Sequence, residues 1–257
     1  MRKIHFTKMV ASGNDFVLME SGNAGLARKI CDRKYGVGAD GLLVLEKSKV
    51  ADVKMRLFNA DGSEAEMCGN GARCVALYAN KKIVYIETKA GIIESRVSKD
   101  YVKIRLTDPK HIKLDIPITI NKRKIKVNFV DTGVPHAVIF VQGLENIDVA
   151  GLGRIIRYHK AFSPRGTNAN FVETLSRNSL AVRTYERGVE DETLACGTGS
   201  VASSVIFALK TNTEDKILVH TRGKEVLAVY FRKKGRAFSN TWLEGKVSTV
   251  YKGVICI

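Results

Sequence analysis

Two cysteines of the chain are each followed by the pattern Gly-x-Gly, and these are the residues best suited to chemistry. Cys68 begins the segment CGNGARC, Cys196 begins CGTGSVAS, and both segments continue into small and apolar residues typical of a buried helix. A thiol at a helix start lies near unpaired N–H groups and the positive end of the helix dipole, which predicts a lowered thiol pKa. The glycines let a small anion approach the same N–H groups. Each segment therefore predicts a thiol base beside a carboxylate site.

A pair of such thiols has the chemistry needed to invert a carbon centre. One thiolate removes a proton from one face of the carbon, and the other thiol delivers a proton to the opposite face. Because the α-hydrogen of an amino acid is very weakly acidic, the carbanion needs stabilisation, which helix N-termini at the α-carboxylate would supply. For either cysteine alone, an inert buried thiol is the common alternative. The repetition of the segment weakens that alternative.

Zinc binding is a second alternative for the cysteines. Cys68 and Cys74 do not have the usual spacing of zinc ligands, and no histidine follows at ligand spacing. We therefore predict no metal site, and we interpret Cys31, Cys74 and Cys256 as core residues.

The elements that must position Cys68 and Cys196 recur along the chain in the same order. SGNDFVLME is similar to TGVPHAVIF, GADGLLVLE to NANFVETL, and LFNADGSEAEMCGNG to RTYERGVEDETLACGTG. Many of these runs alternate apolar and polar residues, as half-buried strands do. The pattern predicts helices in the segments NAGLARKICDR, GARCVALYANK, DVAGLGRIIRYHKAF and GSVASSVIFALK. We therefore predict a mixed α/β fold of two similar lobes related by a pseudo-twofold axis, each a mostly antiparallel sheet wrapped around a central buried helix.

The predicted lobes divide the chain near the segment DPKHIKLDIP, whose proline and polar residues are typical of a linker. Residues 1–113 form the N-terminal lobe with Cys68, and residues 114–249 form the C-terminal lobe with Cys196. The C-terminal strand, about residues 250–257, is able to return to the first lobe. We expect the active site in the cleft between the lobes.

Composition and motifs exclude several classes of protein. The net charge of +16 raises nucleic acid as a partner, but the basic runs have no interleaved aromatic residues, so we predict none. The segment GVGADG matches a dinucleotide fingerprint but follows a helix-like run and precedes a strand-like one, which is the reverse of the required order. With five cysteines and no export signal or membrane helix, the chain is expected to be cytoplasmic with reduced thiols.

The chain resembles the diaminopimelate epimerase family nearly from end to end. The blocks that carry the resemblance are KMVASGNDFV, DRKYGVGADGLL, FNADGSEAEMCGNGARC, VPHAV, GTNANF and YERGVEDETLACGTGS. The resemblance implies an isomerase of two similar α/β lobes that interconverts LL- and meso-diaminopimelate in lysine and peptidoglycan precursor synthesis. It also implies a homodimer that uses neither metal nor pyridoxal cofactor.

The same resemblance implies roles for individual residues. The acid–base pair is Cys68 and Cys196. The α-carboxylate cradle comprises Gly69, Asn70, Gly197 and Thr198. The groups that hold the amino and distal ends of the substrate are Asn14, Asn59, Asn168, Glu186 and Arg187. His136 adjusts the protonation of the thiols.

Three departures from the family pattern bear on the substrate. Val134 stands where many members have asparagine, Gly41 stands where many have glutamine, and one extra residue separates Arg187 from Cys196. A related cofactor-independent racemase of histidine or proline type is therefore an alternative, although it should not need Arg187. A non-catalytic small-molecule binding protein on the same scaffold is another, although it would be expected to lose a thiol.

Overall fold

The structure is a computed structural model that describes residues 3–213 and 215–256. Its chain divides into two compact units. Unit 1 comprises Met1–Arg105 and Glu244–Ile257, and unit 2 comprises Leu106–Leu243. Unit 2 is thus continuous in sequence, whereas unit 1 is built from both ends of the chain.

Strands predominate over helices among the described residues. Up to Arg105 the elements are β1 (Lys3–Ala11), β2 (Asn14–Met19), α1 (Ala24–Ile30), β3 (Gly41–Glu46), β4 (Val53–Asn59), β5 (Glu64–Ala65), α2 (Gly69–Tyr78), β6 (Ile83–Thr88), β7 (Gly91–Ser98) and β8 (Tyr101–Arg105). The later elements are β9 (Lys110–Ile120), β10 (Arg123–Asp131), β11 (Pro135–Phe140), α3 (Val149–Arg157), β12 (Asn168–Ser176), β13 (Ser179–Glu186), β14 (Asp191–Thr193), α4 (Gly197–Thr211), β15 (Lys216–Thr221), β16 (Val226–Lys234), β17 (Ala237–Lys246) and β18 (Ser248–Cys256).

In unit 1 the strands pack around α2. Antiparallel pairs join β1 to β2, β3 to β4 and β6 to β7, while parallel pairs join β2 to β3 and β4 to β6. Each parallel pair needs a crossover, which α1 and α2 provide. Most of α2 is buried, including Ala72, Cys74, Val75 and Ala76. The smaller helix α1 packs Ala27 and Ile30 against a cluster from the neighbouring strands.

Unit 2 repeats this order of strand pairs. Antiparallel pairs join β10 to β11, β12 to β13 and β15 to β16, while parallel pairs join β11 to β12 and β13 to β15. The crossovers are α3 and α4, and α4 is buried from Gly199 to Ala208. The predicted class of fold, with one buried helix within a mostly antiparallel sheet in each half, is confirmed.

The helix α3 packs closely against β12 and β13. Its buried residues Val149 and Ile156 belong to a core cluster with Phe171 and Tyr185. Gly153, between them, lies so near that a Cβ added to it would stand 2.4 Å from the Cβ of Tyr185. The absence of a side chain at Gly153 therefore sets how closely α3 approaches the sheet.

The predicted linker is wrong. The segment DPKHIKLDIP contributes most of β9, which pairs antiparallel with β10. Apolar residues occupy every second position from Ile112 to Ile120, and their burial alternates in the same way. This alternation outweighs Pro117, because a proline is tolerated on an edge strand. The first unit therefore ends at Arg105, before the predicted boundary at residue 113.

The C-terminal strand β18 pairs antiparallel with β1, from Ser248 to Cys256. The core assignment of Cys256 is wrong, because this residue is exposed at the end of the ladder opposite Lys3. Cys31 and Cys74 are buried, as predicted.

The GVGADG segment does not have the surroundings of a dinucleotide site. It lies between α1 and β3, in the helix-to-strand order that argued against dinucleotide binding. Within residues 3–213 and 215–256, no helix is both long and apolar enough to cross a membrane.

Candidate active site

Cys68 is the N-cap of α2. Its backbone is extended, with φ −140° and ψ 123°, and its carbonyl accepts the first helical hydrogen bond, from Ala72 N–H at 2.9 Å. Cys68 and Gly69 are half-buried. A Cβ on Gly71 would lie 3.0 Å from the Leu43 side chain, so this helix start packs closely against β3. The extended backbone of Cys68 thus stands at the start of α2, where the N–H groups of the first turn have no partner within the helix.

Two predicted substrate-binding residues meet beside this helix start. Asn70 Nδ2 donates to Asn14 Oδ1 at 2.7 Å, so the first turn of α2 is bonded to the start of β2. Asn14 Nδ2 in turn donates to Asp40 Oδ2 at 3.0 Å. The repeated sequence segments do not indicate that Asp40 belongs with Asn14 and Asn70.

Cys196 is the corresponding N-cap of α4. Its Sγ accepts a hydrogen bond from Gly199 N–H at 3.4 Å and lies 3.5 Å from Thr198 Oγ1. A Cβ on Gly199 would stand 3.3 Å from that sulfur and 2.4 Å from Asn170 Oδ1. Glycine is therefore required at this position by two close contacts. The prediction that each cysteine begins a buried helix is confirmed.

The prediction of a lowered thiol pKa is wrong for Cys196. Burial raises its pKa well above the ordinary range, and the charge of the neighbouring Glu186 raises it further. The bonds from Thr198 and Gly199 act in the opposite direction but are smaller effects. Loss of water thus outweighs the helix N-terminus, and a protonated thiol is favoured at Cys196.

The charge of Glu186 acts directly on Cys196. Burial raises the pKa of its carboxyl, whereas hydrogen bonds from Thr193 and Cys196 lower it in part. Thr193 Oγ1 donates to Glu186 Oε2 at 3.0 Å across the β13–β14 hairpin. A half-buried carboxyl within hydrogen-bonding reach of a thiol can exchange a proton with it.

The backbone of Arg187 is fixed by a hydrogen bond to Asn168. Its N–H donates to Asn168 Oδ1 at 2.7 Å, and Asn168 Nδ2 donates to the carbonyl of Pro135 at 2.9 Å. The side chain of Arg187 is half-buried and donates from Nη1 to the carbonyl of Arg165 at 3.4 Å. Asn168 therefore ties β11 to the end of β13.

His136 is completely buried and neutral. Burial lowers its pKa to about 3, against a smaller opposing effect of its contact with Asn170. Asn170 Nδ2 lies 3.1 Å from His136 Nδ1 and donates to the carbonyl of Ala137, while Asn170 Oδ1 accepts from Thr184. A neutral imidazole that is buried from solvent is suited to packing and hydrogen bonding within the site more than to changing the protonation of the thiols.

Asn170 was not predicted as a site residue, although the sequence pattern around it indicates one. In the segment NAN, residues 168 and 170 are two apart on β12, so both side chains lie on one face of the strand. Asn170 contacts His136 and stands beside Gly199, which links β11 to the start of α4.

Other predicted residues have different surroundings. Asn59 is exposed at the end of β4, and its side chain donates to Ser63 Oγ at 2.9 Å. A Cβ on Gly41 would meet Leu57 Cδ1 and the Phe58 carbonyl at 3.0 Å, so Gly41 is a close-packed position. The carbonyl of Val134 accepts a hydrogen bond from Thr132 N–H at 3.1 Å.

The chain matches the family model described as Diaminopimelate epimerase over residues 6–112 and 128–250. It is 42% identical to the diaminopimelate epimerase of Methanocella arvoryzae, over 99% of this chain and 98% of that protein. It is 39% identical to the diaminopimelate epimerase of Aquifex aeolicus, over 97% of both chains.

Solved structures share the fold at low sequence identity. A phenazine biosynthesis protein of the PhzF family from Bacillus anthracis has a TM-score of 0.76 at 18% identity, with all of both chains covered. A hydroxyproline epimerase from Agrobacterium vitis has a TM-score of 0.70 at 15% identity, over 99% of this chain and 91% of that chain.

Proposed function

The chain belongs to the diaminopimelate epimerase family, and from this premise we propose that Cys68 and Cys196 are the acid–base pair that inverts the α-carbon of diaminopimelate. The activity is an isomerisation between the LL and meso forms. One observation carries the assignment of the pair: each cysteine is the N-cap of the long buried helix of its unit.

The reaction proceeds in two proton transfers. A thiolate takes the α-proton, the C–H electron pair remains on the α-carbon, and the opposite thiol protonates that carbon from its other face. Inversion therefore requires Cys68 and Cys196 to reach opposite faces of the same carbon. After one turnover the two sulfurs have exchanged protonation states, and the reverse reaction uses them in the reverse order.

The surroundings of Cys196 support its role as the resting acid. Burial and Glu186 hold its pKa high, so the thiol is protonated when substrate binds. Cys68 then acts as the base in the direction that starts with a neutral Cys196. The reverse reaction starts from the state that one turnover leaves, with Cys196 as thiolate and Cys68 as thiol, and the charge of Glu186 favours the return of a proton to Cys196.

The charged groups suit a substrate with a carboxylate and an ammonium at each end. N–H groups at the starts of α2 and α4 suit the α-carboxylate, because helix N-termini bind anions. Arg187, whose backbone is fixed by Asn168, suits the distal carboxylate through a two-pronged guanidinium contact. We assign Asn14, Asn59 and Asn168 to the amino and distal ends of the same substrate.

The setting of the reaction is part of the proposal. A thiol pair needs reducing conditions, so we place the enzyme in the cytoplasm, in lysine and peptidoglycan precursor synthesis. We propose a homodimer and a reaction that needs neither metal nor pyridoxal cofactor.

Solvent exchange tests the proposal. Reduced protein is incubated with LL-diaminopimelate in deuterated water, and mass spectrometry follows deuterium at the α-carbon while chiral chromatography follows the meso form. The wild type is expected to exchange and invert, and Cys68→Ala and Cys196→Ala are each expected to lose inversion. Cys256→Ala, at an exposed cysteine, is the control and should retain it.

The same assay decides between substrates. L-histidine and L-proline run in parallel and are expected to show no exchange. Exchange with either of them, and none with diaminopimelate, would keep the two-thiol chemistry but reject the substrate. No exchange with any of the three would reject the assignment.

A further inference from the structure

We propose that Arg73 and Asp40 are positioning residues that fix the carboxamides of Asn70 and Asn14, so that both amides direct N–H groups toward the carboxylates of the substrate. This inference rests on the proposed function, because it takes Asn14 and Asn70 to be substrate-binding residues. It adds two charged residues that the sequence patterns did not indicate.

The four side chains form a continuous series of hydrogen bonds in unit 1. Arg73 Nη2 donates to Asn70 Oδ1 at 2.6 Å, and Asn70 Nδ2 donates to Asn14 Oδ1 at 2.7 Å. Asn14 Nδ2 then donates to Asp40 Oδ2 at 3.0 Å. The series begins at a cation inside the helix α2 and ends at an anion in the loop before β3.

The chemistry of the two ends determines the direction of every bond between them. A guanidinium can only donate hydrogen bonds, and an ionised carboxylate can only accept them. The oxygen of Asn70 must therefore face Arg73, so the nitrogen of Asn70 faces Asn14. The oxygen of Asn14 accepts that bond, and the nitrogen of Asn14 then faces Asp40. Rotating either carboxamide by half a turn would place donor against donor or acceptor against acceptor.

Each amide nitrogen retains a second N–H that these bonds do not use. The fixed orientation therefore presents donors from both Asn70 and Asn14, next to the N-cap Cys68. Donors held in place before binding suit a carboxylate, because no reorientation is needed when the anion arrives.

Arg73 is anchored independently of the substrate. It is completely buried, and its Nη2 also donates to Ser12 Oγ at 2.7 Å while its Nη1 donates to the Lys246 carbonyl at 3.5 Å. A buried charge with several bonds cannot be lost or turned without a large cost. The orientation of Asn70 thus derives from a group that stays in one place.

Asp40 is anchored from the other side. Arg33 Nη2 donates to Asp40 Oδ1 at 2.6 Å, and the Asp15 N–H donates to Oδ2 at 3.2 Å. Asp15 itself is paired with Arg33 and Lys8. Asp40 and Asp15 therefore belong to one ionic cluster, but only Asp40 accepts a bond from Asn14.

This difference provides a matched pair of variants, Asp40→Asn and Asp15→Asn. Both remove one charge from the same cluster and keep the size of the side chain. An asparagine at position 40 can donate as well as accept, so it no longer determines the orientation of Asn14. An asparagine at position 15 leaves the acceptor at Asp40 in place.

The first measurement is independent of activity. The ¹⁵N relaxation of the Asn14 side-chain amide gives its order parameter in each folded variant. We expect a lower order parameter in Asp40→Asn and an unchanged one in Asp15→Asn. An Asn14 amide equally ordered in the wild type and Asp40→Asn would overturn the proposal.

The second measurement is steady-state kinetics with diaminopimelate. Loss of oriented donors should raise KM in Asp40→Asn by about 10-fold with kcat nearly unchanged, as for loss of binding that is equal in ground and transition states. Asp15→Asn should keep KM within about threefold of the wild type. An equal rise of KM in both variants would show that Asp40 only stabilises the loop together with Asp15, and would overturn the proposal.

The Arg73 end provides a second pair of variants. Arg73→Lys keeps a donor-only cation, whereas Arg73→Gln places a group that can donate or accept beside Asn70. Among variants that remain folded by circular dichroism, Lys is expected to give the smaller rise in KM. A larger rise for Lys than for Gln would count against the orienting role.

The two failures can be told apart. If the wild type does not exchange diaminopimelate, the proposed function fails, but the order parameter of Asn14 still tests the positioning. If the wild type is active and the order parameter does not respond to Asp40→Asn, only the positioning fails.

Discussion

The proton on Cys196 depends on the groups around the sulfur more than on the helix that follows it. Burial raises the thiol pKa first, and the adjacent Glu186 adds to the increase. Replacing Glu186 by Gln removes the negative charge and keeps the shape of the side chain. We therefore expect the pKa of Cys196 to fall, moving the onset of its alkylation by iodoacetamide down by about one pH unit.

Peptide mass spectrometry assigns the alkylation to Cys196. Asp191→Asn serves as the control, because Asp191 is exposed on the neighbouring strand β14. The control should leave the onset where it is in the wild type. An onset that stays the same or moves to higher pH in Glu186→Gln would show that the carboxylate does not govern this thiol.

His136 makes stability depend on pH in a definite direction. Its pKa is about 3 in the folded chain and 6.5 ordinarily, so between these values only the unfolded chain binds the proton. Stability is therefore expected to fall as pH drops below 6.5, with a limiting slope of about 1.4 kcal/mol per pH unit. His136→Gln should flatten this dependence, measured by urea unfolding at pH 7, 6 and 5. The same slope in both proteins would contradict the burial argument.

The sequence predicts which cysteines begin buried helices better than it predicts the pKa of their thiols. Cys68 and Cys196 could be found because Gly-x-Gly after each one marks a helix start within a single short segment. The raised pKa of Cys196 could not, because burial and the position of Glu186 arise only when the chain has folded. Asp40 was missed for the same reason, since it lies far from Asn14 in sequence.

At the level of elements, α3 tests whether propensity or packing decides the effect of a glycine. Gly153→Ala should gain about 1 kcal/mol from helix propensity. The added Cβ would stand 2.4 Å from Tyr185 Cβ, and such overpacking costs about 1–3 kcal/mol. We expect packing to prevail and the melting temperature to fall.

Gly25→Ala in α1 is the matched control. A Cβ there meets only the Asn23 side chain, at 3.4 Å, which is an ordinary contact. We expect an unchanged or higher melting temperature, because the propensity gain is not opposed. A higher melting temperature for both variants would show that α3 can move away from β13 at little cost.

The strand β9 shows the limit of composition as a guide to elements. Its proline and charged residues suggested a linker, while its alternation of apolar residues indicated a strand. The helices were easier to predict, because helical spacing of apolar residues extends over several turns. Whether a segment that contains a proline forms a strand is decided here by the pairing partner β10, which is not visible in the segment itself.

At the level of the whole molecule, the two units differ in how the chain builds them. Unit 2 is one continuous segment with its own core, whereas unit 1 needs β18 to pair with β1. We expect residues 106–243 to fold when expressed alone. Residues 1–105 should not fold alone, but should fold when joined by a short linker to residues 244–257.

Circular dichroism and thermal unfolding of the three fragments check this prediction. Cooperative unfolding of residues 106–243 and of the joined fragment, but not of residues 1–105, is the expected result. A cooperative transition for residues 1–105 would mean that β18 is dispensable for the first unit.

The discontinuity of unit 1 also orders events during synthesis. The strand β1 is synthesised before residues 106–243, whereas its partner β18 is synthesised after them. Residues 106–243 emerge complete while the sheet of the first half still has an open edge at β1. The nascent enzyme can thus complete its second unit before its first, which is closed only when β18 has been synthesised.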